Sequence, residues 1–123
     1  MHSHIYLILL GHFIGDFVLQ TTWQARNKSK DWRALWVHSL TYTCVIVLSV
    51  GWLPASLVNI GGVVLFLAAV LTSHAALDAV SSRLNKKYFD SCQFGKFFYV
   101  LGCDQMLHYA SMFALYQWLV IAA

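Results

Sequence analysis

Glutamate is absent from this sequence, and charged residues of all kinds make up only 11% of the chain. A soluble globular domain carries roughly twice that charged fraction. Cysteine is also scarce, because Cys44, Cys92 and Cys103 are the only three and no two of them form a CxxC pair. A disulfide framework and a thiolate metal site are therefore not expected. Any carboxylate chemistry must come from five aspartates.

Long apolar runs take the place of the missing charges, and hydrophobic residues make up 59% of the chain. Four runs are close to the roughly 20 residues that an α-helix needs to cross a bilayer. The predicted membrane spans are about 5–22, 35–53, 56–80 and 97–122, with a tight turn at Pro54. The sequence thus predicts an all-α polytopic membrane protein. Its single domain, 1–123, would be an antiparallel bundle of four transmembrane helices.

The basic residues predict the orientation of this bundle. All eight lie between the first and second runs or between the third and fourth: Arg26, Lys28, Lys30, Arg33, Arg83, Lys86, Lys87 and Lys96. Cytoplasmic loops of membrane proteins carry an excess of lysine and arginine. Both segments are therefore predicted to be cytoplasmic, and both termini extracytoplasmic, in a multi-pass cell-membrane protein. Membrane lipids are the expected partners, and no nucleic-acid partner is expected.

Three of the five aspartates lie inside the apolar runs, and each stands four residues from a histidine. The pairs are His12/Asp16, His74/Asp78 and Asp104/His108. A spacing of four residues places both side chains on one face of a helix. The third pair is reversed in order, and its helix is predicted to run in the opposite direction. The three aspartates therefore fall at one predicted depth near the cytoplasmic face, and His38 falls close to it.

Buried carboxylates indicate a metal site in this context. A carboxylate in the bilayer interior is costly unless it is paired, and no lysine or arginine lies inside a predicted helix. Histidine with aspartate suits zinc in first place, with manganese and iron(II) as alternatives. The predicted ligands are His12, Asp16, His38, His74, Asp78, Asp104 and His108. The alternative is that each pair is a local hydrogen bond or part of a proton relay without metal.

Four further polar or basic residues lie near these predicted ligands in the sequence or on the same helix face. Gln20 continues the helix face of Asp16 and is predicted to support the ligands from outside. Gln105 and Cys103 flank Asp104 and are predicted to point aside, with a structural role. Lys28 is interpreted as a topology signal that can also contact lipid phosphate.

The spacing of these motifs resembles that of a known family. The strings are Gly11-His-Phe-Ile-Gly-Asp16-Phe-Val-Leu-Gln20-Thr-Thr with Ala25-Arg-Asn-Lys28, His38 in an apolar stretch, His74-Ala-Ala-Leu-Asp78 and Asp104-Gln-Met-Leu-His108. Together they resemble the small bacterial membrane proteins grouped as domain of unknown function 3307. The resemblance covers nearly the whole chain and implies a bacterial or phage origin, but no substrate. The sequence departs from the family at Thr22, where an acidic residue would be expected.

Two functions from different classes fit the predicted site. The first is a metal-dependent hydrolase acting on a lipid-linked or headgroup ester or phosphoester, with Asp104 as general base. A looser likeness in ligand types, to the YdjM-like inner-membrane proteins that are described as metal-dependent hydrolases, favours this interpretation. The second is a divalent-metal or proton transporter or sensor subunit without hydrolytic activity, which would need a homo-oligomer. A b-type haem protein and an accessory membrane protein are further alternatives.

Overall fold

The structure is a computed structural model that describes residues 2–51 and 60–118, and every regular element in these ranges is helical. The elements are α1 (His2–Phe13), a π-helical segment (Ile14–Val18), α2 (Thr22–Asn27), α3 (Trp32–Gly51), α4 (Ile60–Asp90) and α5 (Phe94–Tyr116). The predicted all-α class is therefore confirmed. The predicted turn at Pro54 and the predicted helical residues 52–53, 56–59 and 119–122 lie outside the described ranges.

The first predicted helix does not continue to residue 22, because its second half is a wider, π-helical turn. The Leu19 amide donates to the Ile14 carbonyl five residues earlier, at 2.9 Å. Within this turn Gly15 lies directly against α3, where an added Cβ would be 3.2 Å from the Cα of Tyr42. Single π-helical turns inside helices are frequent at functional sites. Here the turn carries Asp16 and brings its backbone close to α3.

A short helix then connects the π-helical segment to α3. The Thr21 hydroxyl accepts from the Gln24 amide, and the Gln24 side chain accepts from the Thr21 amide, which forms a capping box at the start of α2. Asp31 begins the next helix, since its carboxylate accepts from the Arg33 amide at 2.8 Å. These caps fix the position of the basic residues of α2 relative to the bundle.

The long helices pack around one apolar core. Helix α4 packs against both α3 and α5, and α1 packs against α3. The core is built by Ile8, Tyr42, Ile46, Phe66, Val70, Met112 and Tyr116. Helix α4 runs to Asp90, ten residues past its predicted end at 80, and Cys92 then turns the chain with a φ of 55°. This left-handed residue closes the helix at the position where glycine is more usual.

The predicted four-span membrane bundle is wrong. Among the described residues, α4 alone is both long and apolar enough to cross a membrane. Helix α1 has only 12 residues before the π-helical turn. Helices α3 and α5 are longer, but polar residues such as His38, Asp104 and His108 interrupt their apolar sequence. The lengths of the apolar runs suggested four membrane spans. Length alone contains no information about the helix break after α1 or about the polar positions in α3 and α5.

Candidate metal centre

The structure brings the seven predicted ligands together in the interior of the bundle. None is more than 7% exposed, although they come from four separate parts of the chain. They are His12 of α1, Asp16 of the π-helical segment, His38 of α3, His74 and Asp78 of α4, and Asp104 and His108 of α5. Three of the residues are aspartates and four are histidines, so the predicted ligands offer carboxylate oxygens and imidazole nitrogens.

The four-residue spacing places each histidine beside its aspartate. The His74 Nε2 lies 3.7 Å from the Asp78 Oδ2 on α4. On α5 the His108 Nδ1 lies 3.4 Å from the Asp104 Oδ1. Helix geometry alone accounts for these pairs. Packing of the helices against one another then brings one His–Asp pair into contact with the next.

His38 is the point where two of these pairs meet. Its Nε2 lies 3.0 Å from the Asp16 Oδ1, 3.2 Å from the Asp78 Oδ2 and 3.2 Å from the His74 Nε2. A ring nitrogen carries at most one proton, so it cannot donate to three partners at once. The four donor atoms lie within 4.8 Å of one another. A divalent cation among them would supply the positive charge that these lone pairs lack.

A second group of potential ligands lies next to the first and shares Asp78 with it. It comprises Asp78, Asp104 and His108, with donor atoms again within 4.8 Å of one another. The Asp78 Oδ2 faces His38, whereas its Oδ1 lies 3.6 Å from the His108 Nε2. The His108 Nε2 and the Asp104 Oδ1 are buried without a hydrogen-bond partner among the described residues. The prediction that buried His and Asp groups can hold a metal ion is thus confirmed, while the identity of the metal stays a prediction.

His12 belongs to neither group. Its Nε2 lies 2.9 Å from the Gln105 Oε1, which only accepts, so this nitrogen carries the proton. Its Nδ1 then accepts from the Tyr42 hydroxyl at 2.8 Å. Because both ring nitrogens have protein partners, the geometry gives His12 an orienting position beside Asp16. A direct bond from His12 to metal stays a prediction.

Gln105 does not point aside, which corrects the prediction for this residue. Its amide nitrogen donates to the Asp16 Oδ2 at 3.1 Å and to the Asp104 Oδ2 at 3.0 Å. Gln105 therefore links a carboxylate of the first group with a carboxylate of the second. Gln20 acts on the backbone instead, because its amide donates to the Asp16 carbonyl at 3.0 Å. Its role in supporting the ligands is consistent with this contact and stays a prediction.

Lys28 supplies the basic partner that the sequence did not predict. Its Nζ lies 2.7 Å from the Asp78 Oδ2, and its side chain is only 16% exposed. Lys28 follows α2 directly, and the capping box fixes that helix against the bundle. A basic side chain therefore reaches a buried aspartate although no lysine or arginine lies inside the predicted helices. The charge pattern alone could not reveal this contact, since it depends on how α2 packs.

Tyr42 is a further residue that the sequence analysis missed. Its ring stacks on the His74 ring, with centroids 3.9 Å apart and planes 10° apart. Burial, with the nearby charge of Asp16 as a smaller cause, raises the pKa of the Tyr42 hydroxyl, so the group stays protonated and can donate to His12. Tyr42 stands four residues after His38, and this spacing was the signal that could have found it.

Positive groups around the carboxylates of the first group keep them ionised, because His38, His74 and Lys28 all lower the pKa values of Asp16 and Asp78. Burial raises the pKa of Asp16. The hydrogen bond from His38 and the charge of His74 together lower this pKa by more, so it lies well below the usual value for an aspartate. Burial lowers the pKa of His38, but its hydrogen bonds to Asp16 and Asp78 outweigh burial and raise the pKa overall. The carboxylates are thus ionised and attract a proton or another cation to the shared centre.

Comparison with known proteins gives the family but no function. Residues 5–123 match the family described as Protein of unknown function (DUF3307). No curated protein matches the chain, and no solved structure matches it. The bacterial origin and membrane location implied by the resemblance stay predictions. The match covers nearly the whole chain, so the protein belongs to the DUF3307 family.

Proposed function

We propose that this protein is a metal-dependent hydrolase that cleaves an ester or phosphoester bond in a lipid-linked or headgroup substrate. The observation that carries the proposal is the position of Asp78. Its two carboxylate oxygens face two adjacent groups of buried His and Asp residues. Carboxylates that join two metal ions in hydrolytic sites stand between ligand sets in this manner.

The ligand set favours zinc, and its division into two groups favours two ions. Asp16, His38 and His74 would hold the first ion and His108 the second, Asp78 would contribute to both, and Asp104 would lie beside the second ion. Histidine nitrogen and carboxylate oxygen are common zinc ligands, and manganese or iron(II) suits the same donors. Bound metal would polarise the scissile bond and activate water at neutral pH. The protein supplies the ligands and the shielding from bulk water.

Asp104 is the best candidate for the general base. It is 7% exposed, compared with 3% for Asp16 and 1% for Asp78. It also borders an apolar pocket of about 190 Å³ between α4 and α5, which Leu77 and Leu107 help to line. Its Oδ1 has no hydrogen-bond partner among the described residues and could therefore accept a proton. A substrate with an apolar part in this pocket would place its polar bond next to Asp104.

The surface of α4 supports contact with lipid. Only 28% of its apolar stretch is buried within the fold. Large apolar side chains along it are exposed, namely Ile60, Val64, Leu65 and Val80. Extended apolar surface of this kind marks interaction sites for membranes or partners. A location at the bacterial inner membrane, with membrane lipids as partners, is therefore part of the proposal and requires no more than one spanning helix.

One experiment tests the proposed reaction. The protein, purified in detergent, is analysed for bound metal and then assayed in proteoliposomes for release of phosphate or headgroup from labelled lipids. Metal at one or two equivalents, together with release that a chelator abolishes and zinc restores, would support the proposal. Release that is insensitive to chelation would contradict it.

Transport is the rival function, and the same vesicles separate the two. The contacts from Asp16 through His38 to Asp78 could also relay protons or pass a metal ion. Zinc or proton flux across the vesicle wall, without release of any lipid product, would favour the transporter. In that case an assembly of several copies should be detected by light scattering.

A further inference from the structure

A basic cleft lies beside the candidate metal centre. It has a volume of about 500 Å³ and lies between the end of α2, the last turns of α4 and the start of α5. Its basic side chains are Arg26, Lys28, Lys30 and Lys86. Half of the eight basic residues in the chain therefore face one cleft.

The charge of this cleft is only partly neutralised. Asp90 is the acidic residue in the lining, and it is paired with Lys86 at 2.7 Å. Arg26 and Lys30 form no ion pair with any residue that the structure describes. The hydroxyl of Ser82 in the cleft wall is buried without a hydrogen-bond partner in the described part of the chain. Two cationic side chains are thus available to an anion, and an unpaired hydroxyl lies in the wall beside them.

Lys28 connects the cleft to the metal centre. It lines the cleft, and its Nζ also contacts the Asp78 Oδ2 at 2.7 Å. Asp78 is the carboxylate shared by the two ligand groups. Lys28 is therefore shared between the cleft lining and the contacts of the candidate metal ligands.

Aromatic residues give the cleft an apolar wall. Phe89 of α4 and Phe97 of α5 both line it, with ring centroids 5.6 Å apart. A small inorganic anion would use the cationic side chains but would not cover this wall. A molecule with an anionic end and an apolar remainder would use both.

We infer that the basic cleft binds the phosphate group of an amphipathic molecule. Arginine and lysine form short, charge-assisted hydrogen bonds with phosphate, and the guanidinium fork of Arg26 suits two of its oxygens. The inference deepens the proposed function, on which it rests for the reaction, because it selects a phosphorylated substrate over a simple ester. Binding itself requires only the cleft.

Binding of two phosphate probes to matched variants tests the inference. The probes are inorganic phosphate and phosphatidylcholine vesicles that contain phosphatidic acid, each measured with purified protein in detergent or nanodiscs. Arg26→Gln and Lys30→Gln should each weaken binding about tenfold, since each removes one charge-assisted contact. Arg33→Gln and Lys87→Gln remove the same charges outside the cleft and should change binding less than twofold. Circular dichroism melting of all four variants checks that they fold.

The outcomes show whether the cleft recognises phosphate alone or phosphate attached to a lipid. Binding of phosphatidic acid vesicles, with little binding of inorganic phosphate, supports a lipid headgroup as the ligand. Comparable binding of both probes would overturn the amphipathic part of the inference, because the aromatic wall would then contribute nothing and phosphate alone would be the group recognised. Binding of neither probe, or equal losses in Lys30→Gln and Lys87→Gln, would overturn the inference in favour of diffuse charge attraction.

Chelator-treated protein and a variant that lacks one metal ligand distinguish failure of the inference from failure of the proposed function. His74→Ala removes a ligand of the first group but leaves the cleft lining unchanged. It should still bind phosphate with wild-type affinity. If phosphate binds only to metal-loaded protein, the cleft is not the site, although the metal proposal stands. If phosphate binds but no lipid is ever cleaved, the hydrolase proposal fails and the cleft assignment stands.

Discussion

The Lys28 ammonium donates a hydrogen bond to the Asp78 carboxylate at 2.7 Å, although the two residues are 50 positions apart in the sequence. The same oxygen, Oδ2, lies 3.2 Å from the His38 Nε2. A metal ion held by His38 and Asp78 would therefore meet the positive charge of Lys28 at close range. Lysine and metal compete for one carboxylate oxygen, and this competition can be measured.

Replacement of Lys28 by methionine should strengthen metal binding. Lys28→Met removes the competing charge but keeps most of the side-chain length, so zinc affinity should rise about tenfold, or about 1.4 kcal/mol. Without metal, Asp78 loses a charged partner, and the free energy of unfolding should fall by about 1–3 kcal/mol. Zinc titration against a competing chelator and urea denaturation with chelator present provide the two measurements.

Lys30→Met is the matched control for this prediction. Lys30 lines the same cleft but has no contact with Asp78, so zinc affinity should stay at the wild-type value. Weaker zinc binding in Lys28→Met would contradict the competition and would show that Lys28 supports the metal centre instead.

The sharing of Asp78 predicts a specific pattern of metal stoichiometry. If two ions bind, His108→Ala should leave about one equivalent, because it affects only the second group. Asp78→Asn should lose both ions, since both groups use this carboxylate. His38→Ala combined with His74→Ala should cost much less than the sum of the single losses, because the two residues act on one ion.

Elemental analysis after size-exclusion chromatography measures these stoichiometries. Asp90→Asn is the control, because Asp90 is exposed and paired with Lys86 away from the cluster. It should keep the full metal content. Additive losses for His38 and His74, or full retention of metal in Asp78→Asn, would mean that the histidine–aspartate contacts are separate structural pairs.

Tyr42 is predicted to stabilise the fold more than it affects the metal. Tyr42→Phe removes the hydrogen bond to His12 but keeps the ring stacked on His74. The free energy of unfolding should fall by about 1 kcal/mol. Tyr42→Ala also removes the buried ring, and the loss should reach roughly 3–5 kcal/mol.

Urea denaturation of chelated protein measures both effects of the Tyr42 substitutions. Tyr6→Phe removes a hydroxyl from a side chain that is 69% exposed, and it should leave stability unchanged. If Tyr42→Phe lowers zinc affinity more than tenfold while stability stays constant, His12 must act on the metal directly.

The sequence predicted the candidate site well where helix geometry alone determines it. His74 with Asp78, and Asp104 with His108, are neighbours on one helix face whatever the rest of the fold does. Burial of polar residues among apolar ones then indicated that these pairs face inward. The contacts of Lys28 and Gln105 could not be read in the same way. They depend on the packing of α2 and α5 against the bundle, which no local spacing encodes.

The prediction of four membrane spans failed for a related reason. An apolar run of about 20 residues fits a bilayer, but shorter or interrupted runs also suit a buried core. The π-helical turn at Gly15 ends the first helix early because α3 packs closely against it at Tyr42. Polar positions such as His38 lie in the interior of the fold. The length of an apolar run alone therefore does not distinguish a membrane span from a helix that is buried in the core of the fold.

Asp104→Asn should separate metal binding from turnover. Asp104 is the most exposed of the three clustered aspartates and borders the apolar pocket, so a bound substrate would reach it first. A general base must accept a proton from water but need not hold the metal.

Asparagine keeps the shape of the Asp104 side chain and its contact with Gln105, but it cannot accept that proton. The variant should therefore retain most of its metal and lose at least a hundredfold in release rate, since general base catalysis contributes about 10²–10⁴-fold. Metal content and release of labelled headgroup are measured on the same sample. Asp31→Asn is the matched control, because Asp31 lies outside the cleft and both ligand groups and asparagine can still cap α3. Loss of metal in parallel with activity would make Asp104 a ligand alone, and the general base would then have to be sought among the other carboxylates.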